Sequence, residues 1–159
     1  MEAAAATIPA LLPGNSVAFS AKTEYGIVSL VELAAIYEQG GVLQVAEIAH
    51  RQSIPDRYLE QMLTSLRRAR ILRSIRGPKG GYQLARPPAD VTIADVVGCL
   101  EGDQAARAAA SRDTPEFDVL SALQERLDQA RAAILSGTSL QDLLEQRDQR
   151  IQAQAMYFI

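Results

Sequence analysis

The stretch that most constrains this chain is DRYLEQMLTSLRRA, Asp56 to Ala69. Wound at about 100° per residue, it places Gln61, Thr64 and Arg68 within about 40° of Arg57. Leu59, Met62, Leu63 and Leu66 gather on the opposite side. Such a helix buries its leucines and turns two arginines, an amide and a hydroxyl outward. That inventory suits phosphates and base edges.

The flanking sequence gives this helix a setting. A shorter helix is expected over about Val45 to Gln52, with Val45, Ile48 and Ala49 inward and Glu47, His50 and Arg51 outward. Ser53-Ile54-Pro55 makes a tight connection, and proline is well tolerated at a helix start. After Ala69 come two short strands, Leu72 to Arg76 and Tyr82 to Ala85, joined by Gly77-Pro78-Lys79-Gly80-Gly81. Three glycines and a proline in five residues make a hairpin tip. Helix, turn, basic helix and cationic hairpin is the order of a winged helix-turn-helix.

Charge supports this order. The whole chain has a formal charge of −3. Between Arg51 and Arg86, however, Arg51, Arg57, Arg67, Arg68, Arg70, Arg73, Arg76, Lys79 and Arg86 face only Asp56 and Glu60, a net +7. The rest of the chain therefore carries −10. A basic block in an acidic chain is a local footprint for phosphate.

Around this block, residues 1–18 read as a flexible N-terminal extension. A helix almost wholly apolar around its circumference is expected from Ser20 or Ala21 to Glu38, ended by Gly40-Gly41. Thr92 and Asp95 form a capping box for a fourth helix with Ile93, Val96, Val97 and Leu100 on one face. Residues 19–102 thus form the winged domain and residues 103–115 a loop. A long helix and a short terminal helix fill 116–150, and 151–159 form a tail. In the long helix Leu120, Leu123, Leu127, Ala130 and Ile134 recur at alternating spacings of three and four, a seam that asks for a partner helix. The expected fold class is mainly α: a winged helix-turn-helix with a two-stranded β wing and a long C-terminal dimerisation helix.

Several function classes fall away. One cysteine, Cys99, permits no intramolecular disulfide and points to a reducing compartment, the cytoplasm. No apolar run reaches the ~20 residues of a membrane span. With one His and one Cys far apart, no phosphate loop and no nucleophile elbow, no catalytic set is recognisable, so no enzyme is expected.

Ordered words in the sequence carry a family resemblance. AKTEYGIVSLVELA, VAEIAHRQSIPDRYLEQMLTSLRRARILRSIRGPKGGYQLARPP and VTIADVVGCLEG strongly resemble the Rrf2 family of bacterial transcription regulators, over about Phe19 to Gly102. The resemblance implies a homodimer that regulates transcription from a palindromic operator on double-stranded DNA. It places Arg57, Glu60 and Gln61 at recognition-helix positions facing DNA and Arg76 at the wing, near the minor groove. With the helix face and hairpin, the candidate DNA-binding residues are Arg57, Glu60, Gln61, Thr64, Arg68, Arg76 and Lys79. Pro55 stands where relatives often have a capping serine, so one contact is expected to be missing. Many relatives hold an iron–sulfur cluster on three cysteines between the fourth helix and the long helix. Here that segment reads GDQAARAAASRDTPEFD, without cysteine, so no cofactor is expected. Two other readings stay open: a winged-helix interaction module that reads no DNA, and a redox or metal sensor using Cys99, His50 and carboxylates. An effector protein, a small ligand or oxidation of Cys99 remain alternative signals.

Overall fold

The computed structural model describes residues 18–102 and 113–157. All but Ala18 of the expected 1–18 extension and most of the expected 103–115 loop lie outside them. Six helices and one hairpin follow in order: α1 Ala21–Ala35, α2 Val45–Gln52, α3 Asp56–Arg68, β1 Leu72–Ile75, β2 Gly81–Leu84, α4 Ile93–Glu101, α5 Pro115–Gly137 and α6 Leu140–Met156. A 3-10 turn at Pro88–Asp90 leads from the hairpin to α4.

α1 is the hub. Ser20 caps it, accepting from the Thr23 amide at 3.3 Å. It packs against α2, α3, α4, α6 and β2, which answers the expectation that a helix with so little polar face must be covered on several sides. It stops at Ala35 rather than Glu38, because the turn tightens early. Tyr37 donates to the Ala34 carbonyl at 3.2 Å and Gly41 to the Ile36 carbonyl at 3.0 Å, with Gly40 at φ 66°.

The winged domain shares one core. Leu30 and Leu33 of α1, Ile48 of α2, Leu59, Leu63 and Leu66 of α3 and Val96 of α4 are all fully buried. α2 and α3 are joined through Ser53 in the left-handed region, φ 55°. Asp95 and Thr92 make the reciprocal α4 cap at 3.0 and 3.1 Å.

β1 and β2 pair antiparallel, Leu72 with Leu84 through Ile75 with Gly81. Leu43 pairs with the other edge of β2, exchanging backbone hydrogen bonds with Tyr82 at 3.0 and 2.7 Å. The tip end of β2 is therefore tied to the chain entering α2. Its tip closes with Gly80 donating to the Gly77 carbonyl at 2.9 Å. A side chain at Gly80 would collide with the Ile75 carbonyl, which explains glycine there.

α5 behaves differently. None of its 23 residues is buried. Arg131 and Leu135 are half-covered by the body, whereas Leu120, Leu123, Leu127 and Ile134 lie exposed. The chain then returns: Ile93 donates to Thr138 and Leu140 to Val91, both at 2.9 Å, and α6 packs along α1. Ser139 and Asp142 form its expected cap. α6 continues to Met156, so six residues expected in the tail are helical.

Candidate nucleic-acid interface

α3 is laid out as its angular pattern demands. Leu59, Met62, Leu63 and Leu66 are buried, and Arg57, Glu60, Gln61 and Arg68 are exposed. Together with Thr64 and Ser65, these four line one open groove of about 520 Å³. The structure thus gathers all five recognition-helix candidates. Thr64 is half-buried, and its hydroxyl donates to the Glu60 carbonyl at 2.8 Å. It keeps only acceptor capacity for an incoming group. Ser65, missed in the sequence because it sits on the flank of the face, behaves alike, donating to Gln61 at 3.1 Å.

Pro55 occupies the N-cap of α3 without a side-chain cap. Tyr58 leans edge-on against Tyr25 of α1, ring centroids 5.9 Å apart at 86°. This contact fixes the amino-terminal turn of α3 on α1. At the other end Arg70 takes φ 61°, a left-handed conformation that L side chains adopt at a cost of about 1–2 kcal/mol.

The nine cations of the basic block divide by partner. Arg51 pairs with Glu32 at 2.7 Å, and Arg86 reaches back to the Asp90 carbonyl at 3.5 Å. Arg73 donates through Nε to Gln83 Oε1 at 2.5 Å. Among the described residues, Arg57, Arg67, Arg68, Arg70, Arg76 and Lys79 make no ion pair. Arg76 and Lys79 stand exposed at the hairpin tip, apart from the α3 groove. The arrangement is a two-part cationic surface: a helix face carrying hydrogen-bonding side chains, and a hairpin carrying charge beside it. It can hold phosphates at both places and present donors and an acceptor to base edges at the first.

Cys99 lies half-buried on α4, its thiol donating to the Ser65 carbonyl at 3.5 Å. Burial pushes this thiol above its ordinary range, against a smaller opposing effect from Lys22. His50 is exposed on α2. Among the described residues no three His, Cys, Asp or Glu side chains converge as metal ligands would. No helix among them is long and apolar enough to cross a membrane.

Comparison with known proteins agrees with this geometry. Residues 19–146 match the model of the Rrf2 family, described as iron-dependent transcriptional regulators. The chain is 31% identical to the HTH-type transcriptional regulator CymR of Bacillus subtilis over 138 residues, covering 87% of this chain and 97% of that protein. It is 41% identical to the HTH-type transcriptional regulator IscR of Cereibacter sphaeroides over 83 residues, 52% of this chain and 54% of the other. The solved structure of B. subtilis CymR superposes with a TM-score of 0.71 at 31% identity, covering 80% and 95% of the two chains. That of T. potens IscR gives 0.70 at 30% identity, covering 84% and 89%. A winged helix-turn-helix with an open cationic recognition face, matched over most of its length by transcriptional regulators, places this chain in the Rrf2 family of DNA-binding transcription regulators.

Proposed function

We propose that the protein acts as a cytoplasmic homodimer on a palindromic operator and needs no iron–sulfur cluster. In this reading α3 enters the major groove. Arg57, Glu60 and Gln61 meet base edges, Thr64 and Arg68 follow along the groove, and Arg76 and Lys79 bring the wing to the backbone and minor groove. The observation that carries it is the division of α3, four buried apolar residues behind and five groove-lining candidates in front.

Two further observations support the finer points. The exposed leucines of α5 are a hydrophobic seam that a second copy would cover, and two-fold symmetry pairs the two recognition helices with two half-sites. The donor set does not fit the family's iron chemistry: the sequence holds a single cysteine, and that thiol is desolvated and bonded to a backbone carbonyl. Iron–sulfur clusters are held by several thiolates.

Selection of bound fragments from random duplex DNA, with the anaerobically purified protein and metal analysis of the same sample, tests the whole reading. A symmetric motif recovered by iron-free protein is expected. Arg57→Ala should then weaken binding to that motif by about 1–3 kcal/mol and relax preference at one position per half-site. Retention of no motif favours a winged-helix interaction module. Stoichiometric iron with acid-labile sulfide would overturn the cluster-free reading.

A further inference from the structure

The strands of the wing carry a polar arrangement that the α3 groove does not use. Gln83 on β2 is one of very few buried polar residues, 8% exposed, directly opposite Arg73 on β1. Both ends of its amide are engaged. The Nε2 group donates to the carbonyls of Gly40 and Gly41, at 3.4 and 3.2 Å, in the turn between α1 and α2. Its Oε1 accepts from Arg73 Nε at 2.5 Å. The orientation of the amide is dictated at both ends, since carbonyls can only accept and a guanidinium can only donate. Arg73 itself is exposed and has no carboxylate partner among the described residues.

This geometry has a consequence for charge. A free arginine side chain samples many rotamers, and fixing it on a ligand lowers affinity. Here the Nε hydrogen bond fixes the plane of the guanidinium before any ligand arrives. Both terminal nitrogens stay available, and those offer the bidentate fork that fits a phosphate. We propose that Arg73 is a pre-set contact to the DNA backbone, and that Gln83 is its positioning residue, anchoring it to the Gly40–Gly41 turn between α1 and α2. The inference rests on the DNA-reading function and adds a site separate from the α3 groove and the wing tip.

The test uses the full chain and a mixed-sequence duplex of about 30 base pairs, with association constants measured across a potassium chloride series. Arg73→Ala removes a phosphate contact, so the slope of log K against log salt becomes shallower by about 0.9 for each wing engaged. Gln83→Met keeps the cation but frees it, so binding weakens about 2- to 10-fold at every salt concentration with the slope unchanged. Added to Arg73→Ala, Gln83→Met should have no further effect on DNA. A role confined to holding the fold would weaken binding equally in both backgrounds and would overturn the proposal. Arg73→Lys covers the case in which Gln83→Met does not fold. Lysine keeps the charge without the Nε anchor and should reproduce the 2- to 10-fold loss at constant slope; wild-type affinity would again refute the idea. Failure of the unaltered protein to bind the duplex at low salt would instead refute the DNA-reading function itself.

Discussion

Leu127→Ser should weaken self-association of this chain by about 2–4 kcal/mol, and the size follows from exposure. Leu127 is 61% exposed on α5, within about 20° of the centre of a face that also carries Leu123 and Ile134. Full burial of a leucine side chain is worth about 1.5–3 kcal/mol. Covering the exposed part therefore contributes about 1–2 kcal/mol in each subunit, and a two-fold dimer counts it twice. The dimer dissociation constant should rise roughly 30- to 700-fold. Sedimentation equilibrium over a dilution series reads this directly. Ala132→Ser is the control: it has a helix-propensity penalty at least as large on an exposed position on the far side of α5. If Leu127→Ser and Ala132→Ser give the same association curve, the seam is not the dimer contact. If the unaltered protein stays monomeric at high concentration, the seam covers something other than a second copy.

Two other changes probe the body of the domain. Gly81→Ala should cost about 1–3 kcal/mol in thermal or denaturant unfolding, because a Cβ there collides with the Leu43 carbonyl and breaks the paired Leu43–Tyr82 hydrogen bonds. Gly98→Ala, in an exposed helical position with open space around it, should instead stabilise by about 0.5–1 kcal/mol, and a loss there would contradict the packing described. Cys99 should alkylate more slowly than a free cysteine at pH 7.5, as mass spectrometry over a time course can show, since burial favours its neutral thiol. A raised folded-state pKa gives stability that is complete below the unfolded value, about 8.5, and is lost as pH rises through the folded one. Unfolding free energy should accordingly fall above pH 8.5 more steeply for the unaltered chain than for Cys99→Ala, and equal slopes would refute the burial argument.

Most of the reading head was legible because its determinants are local. The angular split of α3 depends on thirteen consecutive residues, and the Gly-rich hairpin announces its own turn. The caps at Thr92 and Ser139 are likewise short-range pairs. The parts that escaped depend on distant residues meeting. Nothing near Gln83 says that its amide will reach Gly40 and Gly41, more than forty positions away. Leu43 sits in a loop by local pattern yet pairs with Tyr82. α6 runs past its expected end at Arg150: its last turns, rich in Gln and Arg, lack the apolar periodicity that marks a packed helix. Good helix formers carry it onward after the packed residues stop.

The long helix also joins the reading head through a contact that its leucines do not predict. Arg131 donates to the Ala18 carbonyl at 2.6 Å and to Glu101 Oε2 at 3.3 Å, with its guanidinium over the Phe19 ring. Glu101 Oε1 accepts from the Ser20 amide at 3.3 Å, immediately before α1. One side chain of α5 thus holds the start of α1 and the end of α4 together. In the proposed dimer the distance between recognition helices depends on how rigidly α5 is fixed to each domain. Glu101 is largely covered while Arg131 stays partly exposed, and a single such pair contributes modestly to global stability. Its effect is geometric: it limits rotation of the winged domain about α5, and two half-sites at fixed spacing reward such a limit more than a single site does.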